Sequence, residues 1–261
     1  MSSLDLGLNV MAEISTSPNC ICGLMVWRIN VKTACFGKSS STIWGCRLLF
    51  SSVCGFSDRH YLRHPDFRSV GDGNDIAFIL LDEAVDDITP VNIDWREMTD
   101  DEVESTKPVV NACGWGRMKA REDVYPKRLQ CTQLNLLSGR LCNDLYNPYK
   151  ELGLISHSDS ELCASVSDYK KDTCYGDSGG PLFQIRMNSQ TSKMEAYLVA
   201  IVSHGDRCAK REKPGVYVRL SHFEHFGRCI LEDGLECDYV SNFLTKHQKN
   251  KLKGGFLRAS P

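Results

Sequence analysis

Apolar residues in this chain come in short runs separated by turn formers, most clearly in the second half. Tyr197-Leu198-Val199-Ala200-Ile201-Val202 is continuous and partly β-branched, as a buried strand is. Pro181-Leu182-Phe183-Gln184-Ile185 reads as its hairpin partner, across a polar loop from Met187 to Lys193. Lys213-Pro214-Gly215 opens a further strand that runs to Leu220. In the first half, Ile76 to Leu81 is apolar and follows the turn-forming run Gly71-Asp72-Gly73-Asn74. Many short strands with little helical periodicity predict an all-β fold. Asp94 to Lys107 is acidic and polar, suited to a connector between two β units. Beyond Phe226 the composition shifts and ends in a basic run, Lys246 to Lys253, expected to be a solvated, mobile tail.

Composition narrows the class. The 261 residues are 42% hydrophobic, enough for a real core. A formal net charge of -2 gives no electrostatic reason to expect nucleic acid or an anionic membrane. No stretch approaches the roughly 20 apolar residues that span a bilayer. Thirteen cysteines without a C-x-x-C pair predict a disulfide framework made in an oxidising compartment, with no metal and no cofactor. The odd count leaves a thiol unpaired or bridging chains. Met1 to Pro18 lacks the basic start and apolar core of a secretory signal, so the secreted form is expected to begin differently.

The densest chemical signal is Asp172-Thr173-Cys174-Tyr175-Gly176-Asp177-Ser178-Gly179-Gly180-Pro181. A serine hydroxyl attacks only when a base takes its proton and donors hold the oxyanion that forms. Glycines on both sides let the backbone turn tightly enough to aim N–H groups at that oxyanion. Gly176-x-Ser178-x-Gly180 also fits a nucleophile elbow, but there the serine opens a helix and the acid follows it. Here a proline and a strand-like run come after Ser178 instead.

The stretch resembles the nucleophile segment of trypsin-like serine proteases, the chymotrypsin family. Asn74-Asp75-Ile76-Ala77 is similar to the family's triad-aspartate segment, and His64-Pro65-Asp66-Phe67 to the turn before it. Cys113-Gly114-Trp115-Gly116 resembles the family's Gly-Trp-Gly. Ser203-His204-Gly205, through Cys208, to Lys213-Pro214-Gly215-Val216-Tyr217 resembles the walls of its primary specificity pocket. The resemblance implies a chymotrypsin-like double β-barrel with short helices and an extracellular location. It divides the chain into an atypical part of the first barrel (1–60), a protease domain (61–226) and a carboxy-terminal extension (227–261). Whether the first barrel is complete stays open.

By the same resemblance, Ser178 is the nucleophile, Asp75 orients the base, and the N–H groups of Gly176 and Ser178 form the oxyanion hole. Asp172 lies at the pocket base and implies a protein or peptide partner with Arg or Lys. Gly205 and Gly215 are the small pocket walls, and Ser203 positions the substrate strand. His204 stands where the family has tryptophan, and Arg207 where trypsin has glycine at the pocket lip. Asp177 is the aspartate that pairs with a new amino terminus on activation, and without that partner its buried charge is expected to favour a disordered or collapsed hole. Cys142–Cys163 and Cys174–Cys208 are the implied disulfides. Cys131 would pair with Cys20 or Cys22, Cys22 is also a candidate for Cys35, Cys46–Cys54 and Cys229–Cys237 are possible local bridges, and Cys113 has no obvious partner.

One part is missing. The family carries its base in Ala-Ala-His-Cys; Thr33-Ala34-Cys35 resembles the end of that motif, and on that alignment Ala34 stands in place of the histidine. Only His60 and His64 of the seven histidines precede Asp75, and both read as surface residues before a turn. Loss of a triad histidine costs about 10⁶ in kcat, roughly 8 kcal/mol of barrier. The expectation is therefore a trypsin-family endopeptidase with little or no activity, for which this chain is a product lacking the family's usual start. The alternative is a pseudoprotease that binds a basic peptide or partner protein.

Overall fold

Strand β9, Lys193–His204, is the longest strand among the described residues and pairs with three others. In this computed structural model, which describes residues 33–36, 61–80, 90–146, 159–233 and 237–238, Leu198 to Ser203 are buried. Strand β8, Pro181–Asn188, pairs with it antiparallel out to Asn188 opposite Lys193. The polar run from Met187 therefore belongs partly to the hairpin, and the turn is confined to residues 189–192. Ser192 takes φ 54° there, the left-handed conformation that closes a tight turn.

Strands β5 (Val109–Gly114), β6 (Gln130–Leu137), β7 (Glu161–Ser165) and β10 (Gly215–Arg219) complete a closed sheet with β8 and β9. Its order is β10-β7-β6-β5-β8-β9, with β10 pairing back onto β9. This is a six-stranded barrel, and closure leaves no free edge in it. Alternation aims Val110 and Ala112 of β5, and Leu134 and Leu136 of β6, into its core.

Three further strands form a second, smaller sheet. β1 (Thr33–Phe36) and β2 (Tyr61–Arg63) flank β3 (Ala77–Leu80). Ala34 lies opposite Ile79. Ile76 and Phe78 pack with Leu198 and Ile201 of β9, so apolar contact joins this sheet to the barrel. Mostly β structure with a closed barrel and few short helices is the chymotrypsin-like architecture expected from the sequence.

The acidic connector is more ordered than its composition implies. Strand β4, Asn92–Ile93, adds parallel to β9, and the buried Asp94 carboxylate pairs with Arg186 at 2.7 Å. Helix α1, Asp100–Thr106, follows. Thr99 caps it by accepting the Glu102 N–H, and three acidic residues in its first turn favour the helix dipole. Helix α2, Gly139–Tyr146, receives its cap from Asp100, which accepts the Gly139 and Arg140 N–H groups.

Residues past Phe226 continue into the core. Helix α3, Glu224–Arg228, runs into a π-helical turn, Cys229–Asp233, that buries Ile230 and Leu231 against Phe78 and Phe226. The basic run after Lys246 lies outside the described residues.

Four disulfides are present among the described residues: Cys113–Cys131, Cys142–Cys163, Cys174–Cys208 and Cys229–Cys237. The first replaces the expected pairing of Cys131 with Cys20 or Cys22, and gives Cys113 a partner. The register of β5 against β6 sets Cys113 directly opposite Cys131, so two adjacent strands are stapled within one barrel. Cys20, Cys22, Cys46 and Cys54 lie outside the described residues.

Candidate active site

The last residues of β9 touch three parts of the candidate site. Val202 exchanges backbone hydrogen bonds with the nucleophile loop: Gly179 N–H donates to its carbonyl, and its own N–H donates to Gly180, both at 2.9 Å. The next side chain, Ser203, donates to Asp75 Oδ2 at 2.7 Å, with both residues buried. The one after, His204, places Nε2 2.9 Å from Glu161 Oε1. One strand end thus holds the Ser178 loop, Asp75 and a second buried carboxylate in register.

Asp75 comes from the turn before β3, where Asn74 takes φ 57° and donates its N–H to Ser160 Oγ. The sequence assigned Ser203 to substrate alignment; the structure also makes it a direct partner of Asp75. The Glu161–His204 pair was not anticipated. Its signal was a glutamate opening the otherwise apolar run Glu161-Leu162-Cys163-Ala164, because a carboxylate in a fully buried strand needs a partner. Glu161 is 1% exposed and His204 lies partly buried over it.

Asp172 is gripped by main-chain donors. Oδ1 accepts the Thr173 N–H at 2.8 Å, and Oδ2 accepts the Ala209 N–H at 3.0 Å. The Cys174–Cys208 disulfide ties these two segments together beside it. Burial pushes the Asp172 carboxyl up to about 7, against the lowering effect of those two N–H groups. No cation pairs with it among the described residues. Gly215 is required here, because a Cβ would sit 2.6 Å from Asp172 Oδ1 and 2.9 Å from the Tyr217 hydroxyl. At Gly205 a Cβ would meet nothing closer than 3.8 Å, so packing alone does not demand glycine there. Arg207 is exposed with φ 67°, a conformation that favours glycine, consistent with a glycine at this place in trypsin.

Asp177 lies on the other side of the same loop. Its carboxylate accepts the Gly116 N–H at 2.7 Å and the Cys174 N–H at 2.9 Å. Cβ atoms on Gly114 and Gly116 would collide with that carboxylate at 1.9 and 2.4 Å, so the Gly-Trp-Gly stretch is what leaves room for it. Burial raises its pKa, and the two N–H donors hold it down. Asp177 is therefore held by two main-chain N–H donors, which are neutral and do not supply the opposite charge that the sequence reading finds missing.

Gly176 takes φ 96°, and among the described residues nothing accepts the Gly176 or Ser178 N–H or bonds the Ser178 hydroxyl. The described histidines have other neighbours. His64, expected at the surface, is buried edge-on against Phe223 and Phe226; its Nδ1 accepts the Asp66 N–H, and burial lowers its pKa. His222 packs on Phe223, and His225 lies in α3. His60, His157 and His247 fall outside the described residues. No group of three or more His, Cys, Asp or Glu side chains is placed to hold a metal ion among the described residues.

Comparison with known proteins agrees with this geometry. The chain is 33% identical over 174 residues to the thrombin-like enzyme cerastocytin of Cerastes cerastes, covering 64% of this chain and 57% of that protein. It is 32% identical to trypsin-3 of Salmo salar, covering 62% of this chain and 60% of that one. For human kallikrein-5 the identity is 31%, covering 61% and 48%. The chain thus spans less than two thirds of each relative. Among solved structures, neuropsin, a serine protease expressed in the limbic system of mouse brain, aligns with a TM-score of 0.50 and 25% identity over 66% of this chain and 70% of its own. The Trypsin family profile matches residues 53–226, most of the chain and all of the candidate site, so this protein belongs to the trypsin family of serine proteases.

Proposed function

We propose that this protein binds a basic side chain, Arg or Lys, of a protein or peptide in a pocket floored by Asp172, and that peptide hydrolysis by Ser178 is absent or strongly impaired. The observation that carries the binding half is Asp172 itself. A largely desolvated carboxylate with two N–H donors and no cation gains most from a guanidinium or ammonium that enters beside it. Gly215 keeps the space next to that carboxylate free of a side chain. In this reading Gly205 lines the approach, Ser203 fixes Asp75, and Gly176 and Ser178 offer N–H groups to a carbonyl oxygen.

The impaired half rests on the base. Ser178 has no imidazole at its hydroxyl among the described residues, and Asp75 is bonded to Ser203. Without a proton acceptor, a held oxyanion site contributes far less than the full triad. The protein then acts as a binding module for a basic segment of a partner. The family and the disulfides support a location in an oxidising, extracellular compartment.

A fluorophosphonate probe on the purified full chain, with Ser178→Ala as control, separates the two halves. The expected result is no labelling, together with saturable binding of p-aminobenzamidine. Labelling of Ser178 would make the chain an active endopeptidase. Failure of p-aminobenzamidine to bind would remove the pocket.

A further inference from the structure

We infer that the hairpin of residues 116–125 is a strap that sets the backbone of the Ser178 loop, and that Arg117 is the positioning residue within it. The inference rests on the reading above, in that the loop it sets is the one offering the Gly176 and Ser178 N–H groups. Three consecutive loop residues are touched by the hairpin. Tyr175 gives its carbonyl to the Arg117 N–H at 2.9 Å. Gly176 backs onto it so closely that a Cβ would lie 3.3 Å from Gly116 Cα and 3.7 Å from Tyr125 Cε1. Asp177 takes the Gly116 N–H.

Arg117 makes these contacts one unit. Its guanidinium lies 5.0 Å from the centre of the Tyr175 ring, its Nε donates to the Tyr125 hydroxyl at 3.2 Å, and it pairs with Asp123. The hairpin is closed on itself by the Met118 N–H to Val124 carbonyl bond at 2.8 Å and by a Lys119–Glu122 ion pair at 2.9 Å. A planar, five-donor cation can stack on one tyrosine while bonding another; a lysine cannot. Tyr175 is 52% exposed, so the stack is no part of the core. Its loss should leave the fold intact and free the peptide units of 175–177 to rotate.

Two ligands separate positioning from simple pocket binding. Agmatine carries the guanidinium and an ammonium but no carboxylate, whereas N-acetylarginine has a carboxylate that reaches for the Gly176 and Ser178 N–H groups. In the full chain, Arg117→Ala should weaken N-acetylarginine about tenfold, change agmatine less than twofold, and leave Tm nearly unchanged. Arg117→Lys should behave like Arg117→Ala. Equal loss for both ligands, no loss for either, or rescue by lysine would overturn the inference, the last by showing a general charge effect. Hydrogen exchange at 174–178, without ligand, gives a second reading. Faster exchange in Arg117→Ala supports the strap, and unchanged exchange overturns it. If agmatine does not bind the unaltered chain, the pocket reading fails while the exchange experiment still decides the strap.

Discussion

The Asp172–Ser178 loop presents two partly buried carboxylates and the turn before β3 the fully buried Asp75, and they are held in different ways. Asp172 and Asp177 are fixed by main-chain N–H groups that all come from the six-stranded barrel and its loops. Asp75 belongs to the smaller sheet and takes a side-chain hydroxyl across to the barrel. The proposed pocket is thus contained in one covalently stapled unit, whereas Asp75 depends on two sheets staying in register. A chain built this way keeps recognition more readily than catalysis, which is the sense of the proposed function.

The largest effect should come from Asp172→Asn. Removing the charge that faces a bound guanidinium should cost about 2–5 kcal/mol of p-aminobenzamidine affinity, read by fluorescence titration. If affinity barely moves, the pocket does not lie at Asp172. Next, replacing both Cys174 and Cys208 by alanine should lower stability by about 2–4 kcal/mol in thermal or denaturant unfolding, and weaken the same ligand. Lost stability with full affinity would show that the N–H grip on Asp172 does not need the staple.

Ser203→Ala tests the other side. It takes a donor from a buried carboxylate and should cost about 1–3 kcal/mol of stability with little change in p-aminobenzamidine binding. A large loss of binding would mean that the two regions are coupled. The smallest expected effect is a pH dependence. Burial raises Asp172 above its unfolded value, so its contribution to stability is full below about pH 4 and is lost as pH rises through about 7. Cation binding runs the opposite way, because the ligand needs the ionised form. Affinity should rise up to tenfold from pH 6 to 7 and level off above, and the slope should vanish in Asp172→Asn.

Local signals in the chain were read well where they stayed local. The run from Tyr197 to Val202, the Gly215 strand and the Gly176-Asp177-Ser178-Gly179-Gly180-Pro181 turn all stand where the apolar and glycine pattern put them. Asp94 to Lys107 read as a connector because its polarity hid two cues, a Thr99-x-x-Glu102 helix cap and a buried Asp94 that pairs with Arg186. His64 read as exposed because nothing near it in sequence announces Phe223 and Phe226, which cover it.

From the residues alone came an all-β fold, a serine in a glycine turn, a carboxylate ahead of it in chain order, and a cysteine content that demands bridges. These follow from chain stiffness, side-chain volume and short spacing, which act over a few residues. Folding alone determined that Cys113 meets Cys131, that Glu161 meets His204, that Ser203 meets Asp75, and that Asp177 finds one of its two donors in Gly116, far away in the chain. Each of those pairs depends on strand register and barrel closure, and both are set by the packing of the whole core rather than by any single segment.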